Sequence, residues 1–185
     1  GMPAKDFTSH QLREARAEAA IRGAIASGGV EGAVVSAEVL REHVASASLT
    51  EAATGDPGLD AVAGLWRAGT RLVGWMPDLV GRGRPAVPPA RALLAALHRD
   101  VVGPLAAGGL IGLEEVGAPR AGQMRSREGG PGRAPQGEEL AERLAGLVEL
   151  IEAEQVPALV RAAVVHAEML AARPFTAGNA AVGRL

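Results

Sequence analysis

A chain of 185 residues with 19 basic and 21 acidic side chains has no excess charge to attract nucleic acid or an anionic membrane. Without cysteine it has no disulfide, thiol nucleophile or thiolate metal site, and no apolar run reaches the eighteen or so residues of a membrane span, which fits a soluble protein of the cytoplasm. Two Trp, two Phe and no Tyr leave Ala, Leu and Val to build the core, a composition for packed helices rather than a sheet.

One domain spanning residues 1–185 is the expectation at this length, with helices over 10–107, a glycine-rich connection over 108–137 and further helices over 138–185. Thr8 and Ser9 are N-caps for a first helix in which Glu14 and Glu18 lie among Arg13, Arg16 and Arg22, ending near Gly28-Gly29. Ser36 caps a second helix over 38–47. Thr54-Gly-Asp-Pro-Gly is turn chemistry, and a third helix over 59–73 carries Leu65, Trp66 and Leu72. After the loop 81–89, Pro89 starts a helix through His98, and Gly103-Pro104 should interrupt or kink the chain beyond it.

Residues 108–137 read as a long mobile connection with room for one short hairpin. Arg120, Arg125, Arg127 and Arg133 within it read as a solvated charge run, able to meet an acidic partner. The stretch 138–154 is an amphipathic helix with Leu140, Leu144, Leu147, Val148 and Ile151 on one side, broken by Pro157. Residues 159–172 are apolar nearly all round, as a helix at the centre of a bundle would be, and Pro174 stops them. Glycine-rich pieces such as Gly129-Gly-Pro-Gly132 have neither the strand nor the Lys-Ser/Thr context of a phosphate-binding loop.

The stretch that carries chemistry is Arg173-Pro-Phe-Thr-Ala-Gly-Asn-Ala-Ala-Val-Gly-Arg-Leu185. A helix ends, a glycine turn comes next, and a new helix begins near Asn179, so free backbone N–H groups offer a place for an anion. With Leu159, Arg161-Ala-Ala and His166 upstream, the segment resembles the Fic family motif His-Pro-Phe-x-Asp/Glu-Gly-Asn-Gly-Arg-x-x-Arg. Of its nine defined positions five are present: Pro174, Phe175, Gly178, Asn179 and Arg184. The resemblance covers about residues 138–185 and implies a mainly α, Fic-like helical bundle whose glycine-rich connection takes the place of the substrate-positioning flap. It also implies a C-terminus incomplete relative to the family, with Leu185 inside the helix that the motif opens.

The four departures decide the expected chemistry. Arg173 stands where the family has its proton-accepting His, and a guanidinium cannot act as a base at neutral pH. Ala177 replaces the carboxylate that holds magnesium, Ala181 the Arg that grips the outer phosphates, and Ala180 a Gly that lets phosphate approach the backbone. No residue is therefore assigned as catalytic or as a metal ligand. Thr176, Gly178, Asn179 and Arg184 remain as candidates to hold ATP or another nucleotide weakly, or a small anion. The implied function is a degenerate Fic-like protein inactive in AMP transfer, with a residual anion-binding turn or a protein partner. The alternative is an altered nucleotidyl or phosphoryl transferase acting on protein hydroxyls.

His10, His43 and His98 lie far from the motif in sequence, and His166 reads as a packing residue. Many family members carry an inhibitory helix written Ser/Thr-x-x-x-Glu-Gly/Asn, whose Glu pairs with the second motif Arg. Ala47-Ser-Leu-Thr-Glu51-Ala has the Glu in register but Ala47 and Ala52 at the flanking positions, so Glu51 reads either as a partner of Arg184 or as an ordinary surface or cap carboxylate.

Overall fold

The structure is a computed structural model that describes residues 9–46, 53–75 and 86–185. Among them every regular element is helical: α1 Ser9–Val30, α2 Ala37–Ser46, α3 Pro57–Trp75, α4 Ala90–Ala107, a 3-10 turn Leu113–Glu115, α5 Gly137–Glu152, α6 Ala158–Ala172 and α7 Asn179–Arg184. The connection between α4 and α5 contains no strand, so the hairpin for which it had room is not formed.

Local chemistry sets the starts of the first helices. Ser36 Oγ accepts the Val39 N–H at 3.2 Å at the head of α2. Asp56 takes the Gly58 N–H at 2.8 Å and the Leu59 N–H at 3.3 Å ahead of α3, whose first residue is Pro57. On α1 Glu18 pairs with Arg22 one turn on and reaches Arg41 of α2, bridging the two helices.

The core lies along the α3–α4 pair. Val62, Leu65 and Ala68 of α3 meet Leu94, Leu97, Val101 and Val102 of α4, with Ile21 of α1 and Leu40 of α2 on one side and Leu144, Leu147, Met169, Phe175 and Val182 on the other. Gly64 brings the two backbones into contact: a Cβ there would stand 2.0 Å from the Val101 carbonyl oxygen. Of the interruption or kink expected at Gly103-Pro104, the interruption does not occur: α4 continues to Ala107. Pro104 falls in the last turn, where the missing N–H and the ring disturb only the helix end.

A second expectation fails at α6. Only Met169 and Ala172 of that helix are buried, while Leu159, Val160 and Val164 are exposed, Leu159 by 84%. α6 packs on α5 and α7, its buried residues fall in its C-terminal half, and its apolar N-terminal half lies at the surface rather than at the bundle centre. Its sequence has the character of a buried helix, but no described element covers it.

The connection is knit to the helices by Arg120. Expected as one of a solvated run, its guanidinium is buried, 5% exposed, and donates to the carbonyls of Ala172, Arg173, Met124 and Pro135. A planar donor fork facing the unsatisfied carbonyls of a helix end explains this placement. Arg127 is also engaged, with Leu110 O at 2.9 Å and Glu115 at 3.1 Å.

Candidate functional site

α6 ends at Ala172, and Arg173 takes a left-handed backbone, φ 46°, before Pro174 turns the chain inward. Among the described residues it is the only non-glycine with positive φ. Gly178, φ 76°, closes the turn, where a Cβ would stand 2.8 Å from Val102 Cγ1, so both its conformation and its neighbour require glycine. Asn179 then locks the loop: its Oδ1 accepts the Phe175 N–H at 2.8 Å and its Nδ2 donates to the Phe175 carbonyl at 2.9 Å.

Behind the turn the Phe175 ring stacks on His98 of α4, with centroids 3.9 Å apart and planes 8° from parallel. His98 is fully buried. Its Nδ1 accepts the Gly117 N–H at 2.8 Å, which fixes the proton on Nε2, and Nε2–H donates to the Ala177 carbonyl at 3.0 Å. Burial pushes its pKa down from the ordinary 6.5 to about 4, opposed by the bond to Ala177. With both nitrogens engaged and the ring neutral, His98 holds the turn and is not placed to act as a base. Sequence reasoning missed this neighbour, because its distance along the chain concealed its proximity in space.

The connection clasps the outer side of the turn. Arg127 N and Ser126 Oγ both donate to the Thr176 carbonyl, at 2.7 and 3.3 Å, and Arg120 N donates to the Pro174 carbonyl at 2.7 Å. The Glu128 carboxylate sits at the start of α7, accepting the Asn179 N–H at 3.1 Å and Asn179 Nδ2–H at 2.9 Å. The backbone donor expected to meet an external anion is therefore taken by a carboxylate of the chain itself. Thr176 is buried with its Oγ1 unpartnered.

Thr176, Gly178 and Asn179 stand together at this turn, whereas the guanidinium of Arg184 is turned to α1. Its Nε donates to Ser27 Oγ at 2.7 Å and its Nη2 forms an ion pair with Glu31. Ala177 is half-buried and Ala181 buried, and their methyl groups bring no donor or ligand to the turn. Arg173, 4% exposed, donates from Nη2 to the Gly132 carbonyl at 2.7 Å. With a methyl group at position 177, where a magnesium ion would need a carboxylate oxygen, the residues of the turn do not fit that ion.

Compared with known families, residues 89–185 match the Fic/DOC family. The chain belongs to that family. The match covers just over half of the chain and reaches back from the motif through the connection to α4, the helix that carries His98. A comparison with curated proteins finds no match.

Ser27-Gly-Gly-Val-Glu31-Gly32 fits the inhibitory pattern Ser/Thr-x-x-x-Glu-Gly/Asn at each defined position, and its Ser and Glu are the two side chains that hold Arg184. Glu51, the residue singled out from sequence, lies outside the described residues. Glu31 was missed because the segment reads as the glycine-rich end of a helix; the signal that finds it is the intact flanking Ser27 and Gly32.

Proposed function

We propose that this Fic-family chain does not transfer AMP and acts as a binding protein whose nucleotide turn is kept shut by its own carboxylates. The observation that carries the reading is the Glu128 carboxylate on the N–H and side-chain amide of Asn179. A triphosphate entering there must displace a charge-assisted contact and meets no magnesium ligand at Ala177 and no Arg at position 181. The position of the family's base holds Arg173, and His98, which stacks on the turn's Phe175, is locked by two backbone groups. On this reading ATP or another nucleotide binds weakly, the partner is a protein, and the compartment is the cytoplasm.

The test is intact-mass spectrometry after incubation with ATP, magnesium and candidate target proteins. No mass increase is expected on the chain or on any added protein. Stoichiometric attachment of AMP that persists in a repurified sample would overturn the proposal.

A second reading draws on the Ser27–Glu31–Arg184 contact. An inhibitory pair implies an activity to inhibit, which favours an altered nucleotidyl or phosphoryl transferase acting on protein hydroxyls once Arg184 is released. Glu31→Gly removes the pair, and labelled ATP then distinguishes the readings: label on protein with this variant alone supports the transferase.

A further inference from the structure

Beside the closed turn, and sharing the Glu128 carboxylate with it, is a cleft of about 280 Å³ lined by Arg125, Ser126, Glu128, Arg133, Gln136 and Arg173, among others. We propose that this cleft is a binding site for the phosphate group of a small phosphomonoester, held by Arg125, Arg133 and Arg173.

The charges at its wall are unbalanced. Three guanidinium groups face a single carboxylate, that of Glu128, and both Glu128 oxygens are engaged by Asn179. None of the three arginines forms an ion pair among the described residues. Arg125 makes no hydrogen bond there, and Arg133 has one contact of 3.4 Å to Gln136.

Arg173 supplies the second, independent observation. Only 4% exposed, it nevertheless has an Nε with no hydrogen-bond partner, and only Nη2 is satisfied, by Gly132 O. A buried guanidinium with donors left over marks a place where an acceptor is missing. The groups around it do not supply one: Arg120, its cationic neighbour, is itself pulled below its ordinary pKa by burial and then by the charge of Arg173. An incoming anion relieves this repulsion as well as filling the free donors.

Charge and size select the ligand. A dianion matches the two positive charges left over, and guanidinium groups suit the several oxygens of a phosphate. The cleft has room for a phosphate with attached atoms, and its mostly polar lining has no aromatic side chain on which a nucleobase could stack, which favours a small phosphomonoester over a nucleotide. Phosphate binding by Arg125, Arg133 and Arg173 is measured without ATP, so its failure is distinguishable from a failure of the silent-transferase reading.

The experiment is a titration of the full chain with inorganic phosphate at about pH 8, where the dianion dominates, read by calorimetry and by phosphorus NMR line width. Wild type is expected to bind with millimolar affinity that falls as salt is raised. The double variant Arg125→Gln/Arg133→Gln changes two exposed side chains and should keep its helical circular dichroism while binding at least about tenfold more weakly. Arg173→Gln is a second arm, and should also lose binding if it folds. Phosphoserine and AMP separate the sources: phosphoserine should bind as well as phosphate or better, and AMP more weakly. No saturable phosphate binding, equal affinity in the double variant, equal affinity for acetate, or AMP bound more tightly than phosphoserine would each overturn the proposal.

Discussion

Lowering the pH from about 7.5 to 5 should destabilise the protein through His98 alone by about 2 kcal/mol. The folded ring has a pKa of about 4 against the ordinary 6.5 because it is buried, a shift that the bond from Nε2–H to the Ala177 carbonyl opposes without cancelling. A histidine with a depressed native pKa binds its proton first in the unfolded chain. Stability is therefore fully present above about pH 6.5 and is lost as the pH falls towards 4, the loss reaching about 3 kcal/mol at the lower limit. Arg99, which lowers the pKa, and Glu115, which raises it, are smaller influences on the ring than burial. Urea unfolding at both pH values measures the effect, with His98→Gln as the reference that removes this titration and retains the others. The difference between the two proteins should shrink by about 2 kcal/mol on acidification. An unchanged difference, or a His98 imidazole resonance titrating near pH 6.5 in the folded protein, would refute the reasoning.

Gly64→Ala should cost about 3 kcal/mol or more, since the new Cβ meets the Val101 carbonyl 2.0 Å away and α3 must separate from α4; thermal unfolding reads it directly. Arg120→Lys is expected to lose about 2 kcal/mol, because an ammonium cannot span the four carbonyls that the planar fork reaches. A loss below about 0.5 kcal/mol would mean that the connection is not held by this residue. Phe175→Ala, which removes the ring stacked on His98, should cost about 3–5 kcal/mol in denaturant unfolding.

Helix positions were readable because each depends on local signals: Ser36 and the Thr54-Gly-Asp-Pro-Gly turn did what their side chains allow, and apolar spacing at Leu140, Leu144 and Leu147 found the buried face of α5. The glycine turn with Asn179 was legible for the same reason. What could not be read depends on contacts far apart in sequence. Arg120 and Arg127 have the composition of a solvated run, and only the carbonyls brought to them by the end of α6 and by Leu110 make them structural. Glu128, fifty-one positions from Asn179, fills the turn through such a contact. Apolar character likewise placed α6 at the centre, although hydrophobicity names a face that favours burial without naming what covers it.

Closure of the Fic turn by its own carboxylate is tested most directly by calorimetric titration of magnesium ATP into wild type and Glu128→Ala. Removal of Glu128 frees the Asn179 N–H and Nδ2–H, so wild type should bind with millimolar or weaker affinity and the variant about three- to tenfold more tightly. Micromolar, magnesium-dependent binding by the wild-type chain, with no gain in the variant, would contradict it.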